Sequence, residues 1–222
     1  MVADKLTYLS DICNGLMVQW PENRAVNIVC HGHSVPAGYF ATPYVNTFAA
    51  YPYLLHKALK QRFHYAVINV IVTAVGGENS QQGAGRFAGE ALCHRPDVLT
   101  LDYGLNDRQI TLQEAERAWR SMIEAALEKD VKLILLTPSW EQSYFLQNED
   151  WEALLPHVSQ IRGLAAEYGT GLVDTFALYQ RHIDSGGELQ DLISYINHPN
   201  EAGHKLIANS LAQWFYCIFE LE

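Results

Sequence analysis

Five short, nearly continuous apolar runs, each followed by a longer amphipathic stretch, constrain the fold of this 222-residue chain more than any other feature. The runs are Ala25–Cys30, Ala66–Val72, Asp97–Tyr103, Val131–Leu136 and Gly171–Val173. Near-continuous apolar character marks strands covered on both faces, the pattern of a parallel sheet. Helical periodicity fills the intervals at roughly 50–63, 80–94, 111–129, 151–168 and 175–184, and again from about 201 to 217. Repeated βα units connect by right-handed crossovers, which predicts an α/β fold arranged as a three-layer α/β/α sandwich. Leu6, Leu9, Ile12, Cys13, Leu16 and Met17 fall at helical spacing, so residues 1–24 are expected to form a helical extension. No repeat or linker divides the rest, and residues 25–217 are expected to form the core of one domain.

A formal net charge of -10, with no accumulation of Lys or Arg, argues against nucleic acid or an anionic membrane surface as partner. No segment approaches the ~20 apolar residues of a membrane span, and Met1-Val2-Ala3-Asp4-Lys5 does not begin a leader pattern, so the chain as it stands reads as cytoplasmic. Cys13, Cys30, Cys93 and Cys217 are scattered without a CxxC pair, and free buried thiols are expected.

In doubly wound sheets ligands bind beyond the C-terminal ends of the strands, so the loops there carry the candidate chemistry. After the first strand, His31-Gly32-His33-Ser34-Val35-Pro36-Ala37-Gly38 forms a turn that presents Ser34. After the second, Val75-Gly76-Gly77-Glu78-Asn79-Ser80 brings backbone N–H groups that can approach a ligand closely, with Asn79 or Ser80 as helix cap. After the third, Gly104-Leu105-Asn106-Asp107 offers the side-chain amide of Asn106. Near the end, Asn197-His198-Pro199-Asn200-Glu201-Ala202-Gly203-His204 supplies a histidine on a loop stiffened by proline. Each motif alone is compatible with an ordinary turn; their coincidence at successive strand ends points to a site.

The order Gly-x-Ser, Gly, Gly-x-Asn-Asp and His-Pro-Asn-x-x-Gly-His resembles the SGNH hydrolases, or GDSL-type esterases and lipases, from Ala25 to about Phe215. The resemblance implies a flavodoxin-like sandwich with strand order 2-1-3-4-5. It implies that Ser34 attacks an ester carbonyl, that His198 is the base, and that the Ser34 and Gly77 amides with Asn106 hold the oxyanion. Gly77 aligns better than Gly76 because Glu78 and Asn79 follow it.

Two positions depart from the family pattern. His33 stands where the family has aspartate, and Tyr195 occupies the place three residues before the histidine where the family's acid is found. A backbone carbonyl near Tyr195 is the expected orienter of His198, with Asp191 as the less favoured substitute. His204 is expected to brace the loop, Asp174 to cap a helix, and Asp107 and Arg108 to fix the turn that carries Asn106. His31 and His33 share a metal-compatible spacing but lack further ligands, so neither a metal nor another cofactor is expected.

Aromatic residues cluster in two loops, Tyr39, Phe40 and Tyr44 in one, and Trp140, Tyr144, Phe145 and Trp151 in the other. They suit either sugar rings and acyl chains or local packing. The expected activity is a serine esterase acting on small acyl or acetyl esters, with carbohydrate as one carrier of the ester. Two alternatives stay open at this point, a flavodoxin-like binding module without turnover and an acyltransferase using the same serine.

Overall fold

The computed structural model describes residues 1–195 and 197–216. Its frame is a five-stranded parallel sheet built from β1 (Ala25–Gly32), β2 (Val67–Val72), β3 (Val98–Asp102), β4 (Lys132–Leu136) and β5 (Gly171–Val173) in the order β2-β1-β3-β4-β5. The expected fold and strand order are therefore observed. Side chains alternate across a strand, and the alternation sorts the sheet into two cores. Val26, Ile28 and Cys30 of β1, with Ile134 and Leu136 of β4, face one core. Val29 of β1, Leu99 and Leu101 of β3, and Leu133 and Leu135 of β4 face the other.

The first core is closed by α1 (Ser10–Met17), the inner face of α3 (Tyr51–Arg62), and α9 (Glu201–Ala212). Between α1 and α3 the chain makes a four-residue turn of helix, α2 (Ser34–Ala37), directly after β1. The second core is closed by α5 (Leu112–Leu127) and α7 (Glu149–Tyr168). Thr111 and Glu114 form a capping box at the start of α5, whose buried Ala115, Ala118, Trp119, Met122, Ile123 and Ala126 lie at helical spacing. Asn148 caps α7, and Gly169 ends it with φ +64°. The remaining helices are α4 (Ser80–Arg86), α6 (Ser143–Leu146) and α8 (Thr175–Asp184). Asp174 caps α8 through the Ala177 N–H, as expected.

Several expectations need correction. The helix expected over 80–94 is α-helical only to Arg86 and continues as a π turn (Phe87–Ala91) and a 3-10 turn (Leu92–His94). Gly83, Gly85 and Gly89 weaken it, and Gly83 is required because a Cβ there would lie 2.2 Å from Cζ of Tyr103. β2 is not covered on both faces: it is an edge strand, and Val67 is 50% exposed. The last helix ends at Ala212 with a 3-10 turn to Phe215. Cys30 is a buried free thiol, pushed up to about 12 by burial, but Cys93 is exposed and Cys13 is disulfide-bonded, which the scattered spacing does not signal. Cys217 lies outside the described residues.

Among the described residues no helix is long and apolar enough to cross a membrane.

The loop that carries His198 is tied down by its own sequence. Ile193 and Pro199 form an antiparallel bridge, and the Ser194 N–H donates to the His198 carbonyl at 2.8 Å. Asn200 caps α9 through the N–H groups of Ala202 and Gly203, while its Nδ2 donates to the carbonyls of Asp191 and Ile193. His204 accepts the Tyr51 N–H at 3.2 Å, joining α9 to the start of α3, and burial holds its pKa down to about 3. Gly203 packs so closely that a Cβ would lie 2.2 Å from the Leu192 carbonyl oxygen and 2.6 Å from the Tyr179 hydroxyl. Gly203→Ala is therefore expected to destabilise the protein by about 2–3 kcal/mol, because the obstructing atom is backbone. Urea denaturation checks this, and an unchanged midpoint would contradict the packing described.

Candidate functional site

The site begins at the C-terminal end of β1, where strand bonding runs past the regular sheet on both sides. The His33 N–H donates to the Asp102 carbonyl at 3.1 Å, and the Val75 N–H donates to the Gly32 carbonyl at 3.0 Å. Gly32 is required in this seam, since a Cβ would lie 2.4 Å from the Asp102 carbonyl oxygen. Three loops leave from one level, with Ser34 two residues beyond Gly32, Gly77 two beyond Val75 and Asn106 four beyond Asp102.

Ser34 is the first residue of α2, and its Oγ lies 2.9 Å from His198 Nε2. Both residues are buried, although 164 positions separate them. Burial first and neighbouring His33 second hold the His198 pKa down to about 4, with the Phe40 carbonyl acting in the opposite sense. Nδ1 of His198 has no hydrogen-bond partner among the described residues. A hydroxyl paired with an uncharged imidazole can lose its proton to that ring near neutral pH.

Tyr39 stacks on His198 with ring centroids 5.9 Å apart at 28°. Gly76 also lies against Tyr39, where a Cβ would stand 3.0 Å from the ring. Gly77 adopts φ +84°, which glycine reaches without strain, and the space above its Cα is open. Asn106 is buried, and its Nδ2 donates one hydrogen to the Glu78 carbonyl at 2.8 Å, leaving the second amide hydrogen for another acceptor. Asp107 locks this arrangement by accepting the Ser80 N–H and the Trp119 Nε1–H, both at 2.7 Å. Arg108 pairs with buried Glu141 at 2.8 Å. Asn79 caps α4 in a capping box with Gln82.

Other candidates fall elsewhere. The Asp191 carboxylate bonds His182 Nε2 at 2.9 Å and the Glu188 N–H at 2.8 Å, so it is engaged away from His198. Tyr195 is 76% exposed, and the carbonyl that influences the His198 ring comes from Phe40 rather than from the Tyr195 neighbourhood. His31 and His33 do not converge on a ligand position: His31 bonds Thr73 and the Gly83 carbonyl. Trp140 is buried and packs with Tyr144, Trp151 and Phe176, so Trp140 and Trp151 belong to the core, whereas Phe145 is 48% exposed. Sequence reasoning did not single out two contacts, Tyr39 on His198 and His33 beside Asp102. The second had a signal, a carboxylate that ends the apolar run of β3.

The chain resembles solved esterases along most of its length. A two-domain esterase (CEX) active on acetylated mannans is 21% identical with a TM-score of 0.74, over 95% of this chain and 52% of that one. This chain thus spans about half of that protein. Axe2, an acetylxylan esterase from Geobacillus stearothermophilus, is 19% identical with a TM-score of 0.74, over 86% of this chain and 94% of its own. A lipase/acylhydrolase from Enterococcus faecalis is 18% identical with a TM-score of 0.71, over 85% of this chain and 94% of its own. At such identities the likeness is one of fold. No curated protein matches by sequence. Residues 30–206 match the sequence pattern of the GDSL-like Lipase/Acylhydrolase family, a span that contains Ser34, Gly77, Asn106 and His198. The chain belongs to that family and is a carboxylic ester hydrolase.

Proposed function

We propose that the protein hydrolyses small acyl esters, acetyl esters on carbohydrate among them, through an acyl-enzyme on Ser34. The observation that carries this reading is the 2.9 Å hydrogen bond between Ser34 Oγ and His198 Nε2. His198 takes the hydroxyl proton as Oγ bonds to the ester carbon, and the oxyanion is met by the Ser34 and Gly77 amides and the second Nδ2–H of Asn106. His198 then gives the proton to the departing alcohol. A water molecule repeats the sequence at the acyl-enzyme, releasing the acid and restoring Ser34. Ser34 and His198 are only 7% and 3% exposed, which favours a small acyl group. The acetylated-polysaccharide esterases of similar fold support an acetyl ester on a sugar.

Hydrolysis of p-nitrophenyl acetate tests the assignment. Ser34→Ala and His198→Ala are each expected to lower kcat by about 10³ or more, while Asp191→Asn keeps most activity because its carboxylate is engaged with His182. Undiminished hydrolysis by Ser34→Ala would overturn the nucleophile.

The pH profile tests the base. His198 must be unprotonated to accept the hydroxyl proton, so kcat/KM is expected to fall as pH drops through a midpoint near about 4, well below the ordinary histidine value of 6.5. A midpoint at or above 6.5 in the free enzyme would contradict a buried, carboxylate-free imidazole.

A further inference from the structure

An unassigned pair of side chains lies against Ser34 itself. Asp102 ends β3 with a buried carboxylate, and its Oδ1 is 3.4 Å from Nε2 of His33. The opposite nitrogen of that ring, Nδ1, accepts the Val35 N–H at 3.2 Å and stands 3.4 Å from Ser34 Oγ. A backbone N–H only donates, so Nδ1 must present a lone pair; the proton of the neutral ring is then on Nε2, facing Asp102. The 3.4 Å separation is long for a hydrogen bond, and Nε2 has no hydrogen-bond partner among the described residues, so the buried Asp102 carboxylate is the charged group it faces.

We propose that Asp102 and His33 are a positioning pair for the nucleophile: the carboxylate holds His33 in its Nε2–H tautomer, so that Nδ1 caps α2 and offers Ser34 Oγ no competing donor. The hydroxyl hydrogen is thereby directed to His198. This rests on the reading of Ser34 as nucleophile. In the other tautomer Nδ1–H would lose the Val35 cap and could donate to Oγ, occupying a lone pair needed for attack. A carboxylate suits the task because it accepts only, whereas an amide can turn its NH₂ toward Nε2 and stabilise the wrong tautomer. The acid usual at position 33 in this family is thus found one strand away, acting through an imidazole.

The surroundings agree with this reading. Tyr51, Tyr179 and Cys30 are buried, and their pKa values are raised by burial first and also by the nearby Asp102 charge. A carboxylate retained among such groups is costly unless it has a task.

A double-mutant cycle on p-nitrophenyl acetate tests the pair. Asp102→Asn is nearly isosteric, and His33→Asn keeps a side-chain cap for α2 but is too short to connect with Asp102. Asp102→Asn is expected to lower kcat about ten-fold or more with KM within about two-fold, and to change kcat by less than about two-fold in the His33→Asn background. Unchanged kcat, or equal losses in both backgrounds, would overturn the inference. ¹⁵N NMR of the unmutated protein gives an answer that does not depend on any variant folding. His33 should show an unprotonated Nδ1 and a protonated Nε2, and the reverse assignment would overturn the proposal. Ser34→Ala measured alongside separates the two readings. Hydrolysis retained by Ser34→Ala removes the nucleophile and this inference with it; an inert Ser34→Ala beside a fully active Asp102→Asn removes the inference alone.

Discussion

The seam at Gly32 is the constraint on which the candidate site depends. There β1 bonds both neighbours beyond the last regular pair, through His33 to the Asp102 carbonyl and through Val75 to the Gly32 carbonyl. A side chain at Gly32 would occupy the space of the Asp102 carbonyl, so these strand ends could not stay in register. Because they do, the loops bearing Ser34, Gly77 and Asn106 start from one level, and short contacts suffice to join them. Asn106 reaches the Glu78 carbonyl, and Asp107 reaches the first turn of α4. The fold supplies alignment, and a few buried polar atoms supply rigidity.

The closing segment completes the site from the far end of the chain. Asn200 bonds backbone on both sides of the loop, Gly203 lets α9 approach the Leu192 carbonyl, and His204 ties α9 to α3. His198 is thus held by backbone constraints and by Tyr39 stacked on its ring. Among the described residues no carboxylate bonds its Nδ1. Burial keeps the ring neutral, which suits a proton acceptor, but an imidazolium formed during reaction gains less stabilisation from a carbonyl dipole than from an anion. The only carboxylate described beside the Ser34–His198–His33 group is Asp102, and it contacts His33.

The sheet was legible because strands covered on both faces leave nearly continuous apolar runs, and all five runs are strands of the structure. The edge position of β2 was less so, since its Val and Ile residues read the same whether or not a neighbour covers them. The break at Phe87 follows from glycines that helical spacing alone does not weigh, and from the Tyr103 ring packed against Gly83. At the site, Ser34 and His198 could be read from motifs flanking the sheet, and they meet. Contacts between residues distant in sequence carried no local pattern. Thus the Phe40 carbonyl near His198 carries no sequence signal, and neither does the burial of Trp140 and Trp151 in a loop otherwise polar by composition.

The central claim is that the Ser34 hydroxyl, paired with a neutral His198, is the reacting nucleophile. Treatment with an aryl organophosphonate, followed by peptide mapping by mass spectrometry, tests it most directly. The account predicts one covalent adduct, on the peptide containing Ser34, formed much more slowly by His198→Ala. An adduct on another residue, or labelling undiminished in Ser34→Ala, would contradict it.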